Sequence, residues 1–272
     1  MNEFIAVMAP ALVASLLLTA IYVYFGIHIV RRGVIFVDLA LAQVAAMGST
    51  VAFLLGYELD GQGAYFFSLG FAFLGAVIFA STRPREEVVP QEAIIGIVYA
   101  FAAAATVLLV DKAPHGAEHI KYLLVGNILW VSWKTLWQLF MVIGAVAVFH
   151  FIFRMNFALV SLNPQQARSH GISIPLWDLL FYLSLALIVT TSVQTAGVLL
   201  IFSFLIVPAV CGILLGGSFR QSLLVGWLVG MGVSVAGSGL SFVWDLPTGA
   251  TIICALGITL FLVALLRRVI VG

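Results

Sequence analysis

Charge is what this sequence lacks. Only 8% of its 272 residues are Asp, Glu, Lys or Arg, against 63% hydrophobic, and the mean hydropathy is +1.20. A soluble domain carries about a quarter charged residues, so there is too little polar side chain here to wet a surface of this size. Charge of one sign is also missing. The formal net charge of +1 argues against a basic nucleic-acid binder and against an acidic solvating domain. Cysteine is scarce: Cys211 and Cys254 lie in apolar runs without CxxC spacing. They suggest neither a disulfide framework nor a zinc knuckle, and read as two small buried core residues. A nucleophile elbow, a phosphate loop, an HExxH and paired intramembrane aspartates are all absent, which argues against an enzyme.

What is there is long hydrophobic runs. A helix needs about 20 mainly apolar residues to cross a bilayer, and the sequence offers nine such runs, near 4–30, 34–56, 64–81, 93–110, 135–153, 177–196, 198–215, 222–243 and 249–266. This predicts an all-α polytopic membrane protein of eight or nine transmembrane helices. Only Asn2 and Glu3 precede the first run, with no basic leader and no small-residue cleavage site, so it reads as a retained span. With the amino terminus outside, Arg31, Arg32, Arg83, Arg85, Arg154, Arg168, Arg220, Arg267 and Arg268 fall on one side and Lys112, Lys121 and Lys134 on the other. The positive-inside rule then places the carboxy terminus in the cytoplasm.

Two longer stretches fall between spans. Residues 111–134 are expected outside, their apolar middle lying along or dipping into the membrane. Residues 154–176 are expected inside as a polar segment. There Asn163-Pro164 reads as a helix start and Gly171 as a carboxy-terminal cap, giving a short helix over Gln165–His170. Such a helix is equipped to touch a cytoplasmic partner; an ordinary solvated loop is the alternative.

Among polar residues inside spans, Asp38 stands out, because an intramembrane charge is costly. It is a candidate metal or ion-coupling residue, or the partner of Arg31, Arg32 or another base. Gln43 follows five residues later, about 140° around the helix, so the two do not share a face. Weaker candidates are a polar patch (Thr190, Thr191, Ser192, Gln194 and Thr195), the loop residues His115, Glu118 and His119, and His150, read as a core or interface histidine. Gly226-x-x-x-Gly230 has close-packing spacing, within the chain or at a dimer seam, and Pro208 predicts a kink that could serve gating.

Several stretches in order resemble the integral-membrane permease family of ABC transporters that import zinc, manganese or iron. FVDLALAQVAAMG (36–48) is similar to the family's second-span signature, QEAIIGIVYAF (91–101) to the segment opening its fourth span, and LVGNILWVS (124–132) to its Leu-x-Gly-x-Ile-Leu-x-Val-Ser element. NPQQARSHGI (163–172) resembles the cytoplasmic coupling segment, GVLLIFSFLIVPA (197–209) its Gly-x-Leu-Leu and Pro-Ala motif, and DLPTG (245–249) the turn before the last span.

The resemblance implies a single permease domain over 1–272 that pairs with a second copy in a bacterial-type cell membrane. A cytoplasmic ABC ATPase dimer, which holds the ATP, would dock on Asn163, Gln166, Ala167, Gly171 and Ile172. An extracytoplasmic metal-binding protein would deliver the divalent ion, and Gly197 and Pro208 would serve gating or packing. The chain itself would bind no cofactor and no nucleic acid. One departure matters. The family's second span reads Gly-Asp-Ala-x-Ser-His, with the Asp and His proposed to meet the metal; here the His position holds Gln43, the Asp position Leu39, and Asp38 stands where the Gly is expected. Either Asp38 substitutes by a local shift, or a different metal is carried, or the ion is handled without that site. Two other classes stay open: a self-sufficient ion- or proton-coupled carrier using Asp38, and a membrane scaffold of the same fold that has lost transport.

Overall fold

A computed structural model describes residues 2–58, 61–83, 89–111 and 128–271. Lys112, His115, Glu118, His119, Lys121, Arg85 and most of the 111–134 segment lie outside them. The helices are α1 (Asn2–Arg32), α2 (Val37–Leu54), α3 (Gln62–Ser81), α4 (Gln91–Val110), α5 (Trp133–Ile152), α6 (Arg154–Leu162), α7 (Pro164–Ser169), α8 (Ile174–Ala196), α9 (Val198–Leu215), α10 (Phe219–Trp244) and α11 (Thr248–Val271), with a 3₁₀ turn at Ile128–Trp130. Nine of these are long and apolar enough to cross a membrane: α1 to α5 and α8 to α11. Their positions match the hydropathy reading, because a span is a local property: 18 helical residues rise about 27 Å, close to the hydrocarbon thickness.

The segment 154–176 is more structured than expected. Beyond the short helix, nine residues form α6, because Phe157 and Val160 supply an apolar face that is fully buried.

Contacts divide the chain into two compact units: Met1–Val30, Leu124–Gly144 and Gln194–Gly272 in the first, and Arg31–Leu123 and Ala145–Val193 in the second. In the first unit α9, α10 and α11 pack on one another. Val23 and Ile27 of α1 meet Ala209 of α9, with Phe219, Leu223 and Trp227 against them, and the Trp227 indole N–H donates to the Ala20 carbonyl at 2.9 Å. Glycine sets the closeness. A Cβ on Gly226 would lie 2.5 Å from Val23 Cγ1 and 2.9 Å from the Pro208 carbonyl oxygen; one on Gly230 would lie 2.5 Å from Thr19 Cγ2 and 3.0 Å from Pro208 Cγ. The small-xxx-small pair therefore packs within the chain, and Pro208 fills the groove it leaves. Cys211 is buried as expected, but Cys254 is exposed on α11, whose apolar side chains Ile258, Phe261 and Leu262 are exposed with it. A small apolar thiol fits a lipid-facing surface as readily as a core.

In the second unit α2 packs along both α3 and α4. A buried ion-pair cluster gathers distant elements: the Asp178 carboxylate on α8 accepts from Arg32 at the end of α1 and from Arg83 just beyond α3. Asp38 is therefore not the partner of Arg32. His150 is a core histidine, as expected, stacked on Phe157 with ring centroids 4.0 Å apart.

Many hydroxyls within the spans are satisfied by their own helix. Ser15, Thr19, Thr50, Thr106, Ser184, Thr191, Ser203, Ser234 and Thr259 each donate to the carbonyl four residues back. In a medium without water this removes the cost of an unmet polar group.

Candidate functional site

Two carboxylates meet at the start of α2. Gly33, in a left-handed conformation (φ 70°), ends α1, and the chain turns at once into Phe36, the residue that caps α2. The exposed backbone N–H of Phe36 has no helical acceptor; Glu92 Oε1, from the first turn of α4, accepts it at 2.9 Å. Asp38 sits in the first turn of α2, only 2% exposed. Both acids thus gather at the positive end of one helix dipole. Each keeps one buried oxygen, Asp38 Oδ1 and Glu92 Oε2, without a hydrogen-bond partner among the described residues. A buried acceptor oxygen without a donor is costly, which makes each of the two a candidate to meet a cation or a proton.

Gln43 is half-buried on the same uninterrupted helix. The five-residue spacing keeps it about 140° from Asp38, so the structure does not join the two on one face. Glu92, through its bond to the Phe36 N–H, lies at the same end of α2 as Asp38. Among the described residues no group of three or more His, Cys, Asp or Glu converges.

The second site is the α6–α7 segment. Asn163 accepts the Gln166 backbone N–H through its side chain at 3.1 Å, with Pro164 at the first helical position. At the other end Gly171 adopts φ 73°. Its N–H donates to Arg168 O and that of Ile172 to Ala167 O, both at 3.0 Å, the paired bonds of a Schellman cap. Ala167 alone on α7 is buried, packed with Val160, Ile174, Ile172 and Trp177. Asn163, Gln165, Gln166, Arg168 and His170 are left exposed. A helix of six residues held this firmly, with one face free, is a presented surface.

A family model for the ABC 3 transport family matches residues 4–268. The chain belongs to the ABC 3 transport family. It is 30% identical over 247 residues to a probable iron transport system membrane protein of Haemophilus influenzae, covering 90% of this chain and 88% of that one. It is 24% identical over 256 residues to a manganese transport system membrane protein of Listeria innocua, covering 93% and 88%. Its fold is that of PsaBC from Streptococcus pneumoniae, solved in complex with Fab: TM-score 0.79 at 21% identity, covering 96% of this chain and 94% of that one.

Membership fits a multi-pass cell-membrane transport subunit rather than an enzyme, and does not favour a carrier acting alone. The sequence singled out Asp38 and the α7 cap residues as candidates and did not single out Glu92 or Asp178. Both signals were present. Glu92 opens a span beside Gln91, and Asp178 lies inside the 177–196 run as a second intramembrane acid. Gly197 caps α9 with φ 79° and ψ 156°, a conformation open essentially to glycine, so its role in the structure is to join α8 to α9 through one residue. In the polar patch on α8 the Thr191 hydroxyl meets the Tyr65 hydroxyl of α3 at 3.1 Å.

Proposed function

We propose that this chain is the membrane-spanning permease subunit of an ATP-driven importer of divalent manganese or iron. It works as a homodimer of one permease domain spanning 1–272, with the amino terminus outside, the carboxy terminus in the cytoplasm and residues 111–134 outside. ATP is held and hydrolysed by a cytoplasmic ABC ATPase dimer docked on α7 and its flanks (Asn163, Gln166, Ala167, Gly171 and Ile172), and an extracytoplasmic protein delivers the ion. The observation that carries the reading is the doubly capped α7, buried only through Ala167. Arg32 and Arg83 sharing Asp178 next to that segment supports a common end for these basic residues, as the positive-inside assignment requires.

The ion's stopping point inside is the Asp38–Glu92 pair, with Gln43 available further along α2. Carboxylate and carbonyl oxygens suit Mn²⁺, whereas Zn²⁺ gains more from imidazole. Two carboxylates, without imidazole where the family has His, favour manganese or ferrous iron over zinc. Two carboxylates without a third ligating side chain hold the ion loosely, which suits cargo that must leave. Gly197 and Pro208 position α9 for gating.

Affinity capture of the tagged chain in mild detergent, followed by mass spectrometry, tests the reading. The expected result is a stoichiometric ATPase, lost on Arg168→Glu combined with Gln165→Lys, two exposed positions whose change leaves the α7 caps intact. Ala167→Arg is a poorer probe, because Ala167 is fully buried and the change would disrupt the segment itself. A chain that purifies alone refutes the ABC reading.

A further inference from the structure

A helix of six residues carries no movement by itself; whatever it leans on must carry it. Ala167 leans on Val160 of α6 and on Ile174 and Trp177 of α8. The residue after Trp177 is Asp178, fully buried. Its two oxygens serve different helices: Oδ1 accepts from Arg32 Nη1 at 2.8 Å and Oδ2 from Arg83 Nη1 at 2.6 Å. Arg32 further donates from Nε to Ser161 Oγ of α6 at 2.8 Å, and its guanidinium carbon lies 3.9 Å from the Phe181 ring centroid.

Stability does not account for this cluster. Burying the Arg32 guanidinium and the Asp178 carboxylate, with Arg83 part-buried beside them, costs several kcal/mol of desolvation per buried ion, and apolar residues of similar volume often do as well or better. What an ion cluster adds over an apolar contact is direction: planar guanidinium groups on a carboxylate resist sliding.

Both arms of the cluster lead to the acid pair. From Arg32 the chain needs only the Gly33 turn to reach Phe36, whose N–H is held by Glu92. From Arg83 the end of α3 is tied to the start of α4 by Gln91 Nε2 donating to the Phe79 carbonyl at 2.8 Å, and the next residue is Glu92. The Glu92–Phe36 bond closes the circuit.

We infer that Asp178 is a positioning residue for coupling: through Arg32 and Arg83 it makes α6–α7 and the two strands of chain that carry Asp38 and Glu92 move as one piece. The inference rests on the permease reading above and adds how ATPase motion reaches the ion.

The test uses the permease–ATPase complex captured with the wild-type chain, reconstituted in proteoliposomes, with ATP hydrolysis and Mn²⁺ uptake measured together. Arg83→Gln is the main variant, since the Arg83 side chain is 26% exposed and its removal strands no buried charge. The expected result is normal ATPase binding and continued hydrolysis, with Mn²⁺ moved per ATP falling about tenfold, within the usual span of coupling energies, and recovering in Arg83→Lys. Asp178→Asn, if it folds, should uncouple in the same way. An unchanged Mn²⁺-to-ATP ratio in Arg83→Gln overturns the inference and leaves the permease reading standing. So does a proportional fall of binding, hydrolysis and uptake together, the mark of a merely structural cluster. A wild-type complex that hydrolyses ATP without taking up Mn²⁺ overturns the permease reading first, and this inference with it.

Discussion

Replacing Gly26 by alanine tests the packing logic of the first unit most directly. A methyl there would overlap the carbonyl oxygen of Leu205 on α9 and lie 2.8 Å from the Ala209 Cβ. The obstacle is backbone in mid-helix, which cannot turn aside as a side-chain tip does. A carbon meets a carbonyl oxygen comfortably at about 3.3–3.6 Å, so α1 and α9 must separate by more than about 1 Å around this point. A gap of about 0.5–1 Å already forfeits a quarter to a half of the dispersion well for the atoms lining it. Overpacking costs about 1–3 kcal/mol, and with two obstacles the upper end applies. At about 2–4 °C per kcal/mol for chains of comparable size, Gly26→Ala should lower the apparent Tm by about 6–12 °C. The assay is thermal unfolding of the detergent-purified chain at one fixed heating rate, because irreversible unfolding makes the value rate-dependent. Gly232→Ala is the matched control: it lies on α10 with nothing within 4 Å of an added Cβ, and alanine there gains up to about 1 kcal/mol of helix propensity. Equal losses in both variants, or a Gly26→Ala protein melting within about 2 °C of wild type, would refute the argument.

Asp38→Asn and Glu92→Gln should each cut Mn²⁺ uptake at least as much as the ~10–100-fold that loss of an outer-shell partner costs a metal site. Gln43→Ala should cost less, and ATPase capture should be unaffected; metal content of loaded vesicles reads the difference. Gly197→Ala forces alanine into φ 79°, ψ 156° and should cost about 1–3 kcal/mol, visible as a lower Tm in the same unfolding assay. Gly171→Ala, at φ 73°, should cost about 1–2 kcal/mol locally and weaken ATPase capture, with Gly171→Asn recovering part of it because asparagine tolerates that conformation.

What could be read in advance was whatever is encoded over short stretches. Each span declares itself by its own apolar run, and α7 by Asn163-Pro164 at one end and Gly171 at the other, since capping is settled within a few residues. Helix α6 was missed because its nine residues, though mostly apolar, are too few to cross a membrane and adjoin a polar stretch read as one solvated segment. The acid pair and the ion cluster were illegible for a different reason. Glu92 reaches Phe36 across 56 positions and Arg32 reaches Asp178 across 146, and no periodicity links such partners. For Asp38 the sequence left open an ion site or a pairing with the nearby arginines; the structure gives Arg32 to the more distant Asp178.

The contrast between hydroxyls that bond within their own helix and charges that bond between helices bears on how the protein is made. A span such as α9, whose single Ser/Thr hydroxyl, Ser203, donates to Leu199, can be released into lipid as soon as it is synthesised. Arg32 enjoys no such independence. Its carboxylate lies 146 residues later in the chain, and at about 5–20 residues per second a ribosome needs roughly 7–30 s to deliver it. Through that interval the end of α1 must keep its guanidinium near headgroups or in the insertion machinery. The order of synthesis therefore makes the arrival of α8 the moment when the second unit can first lock.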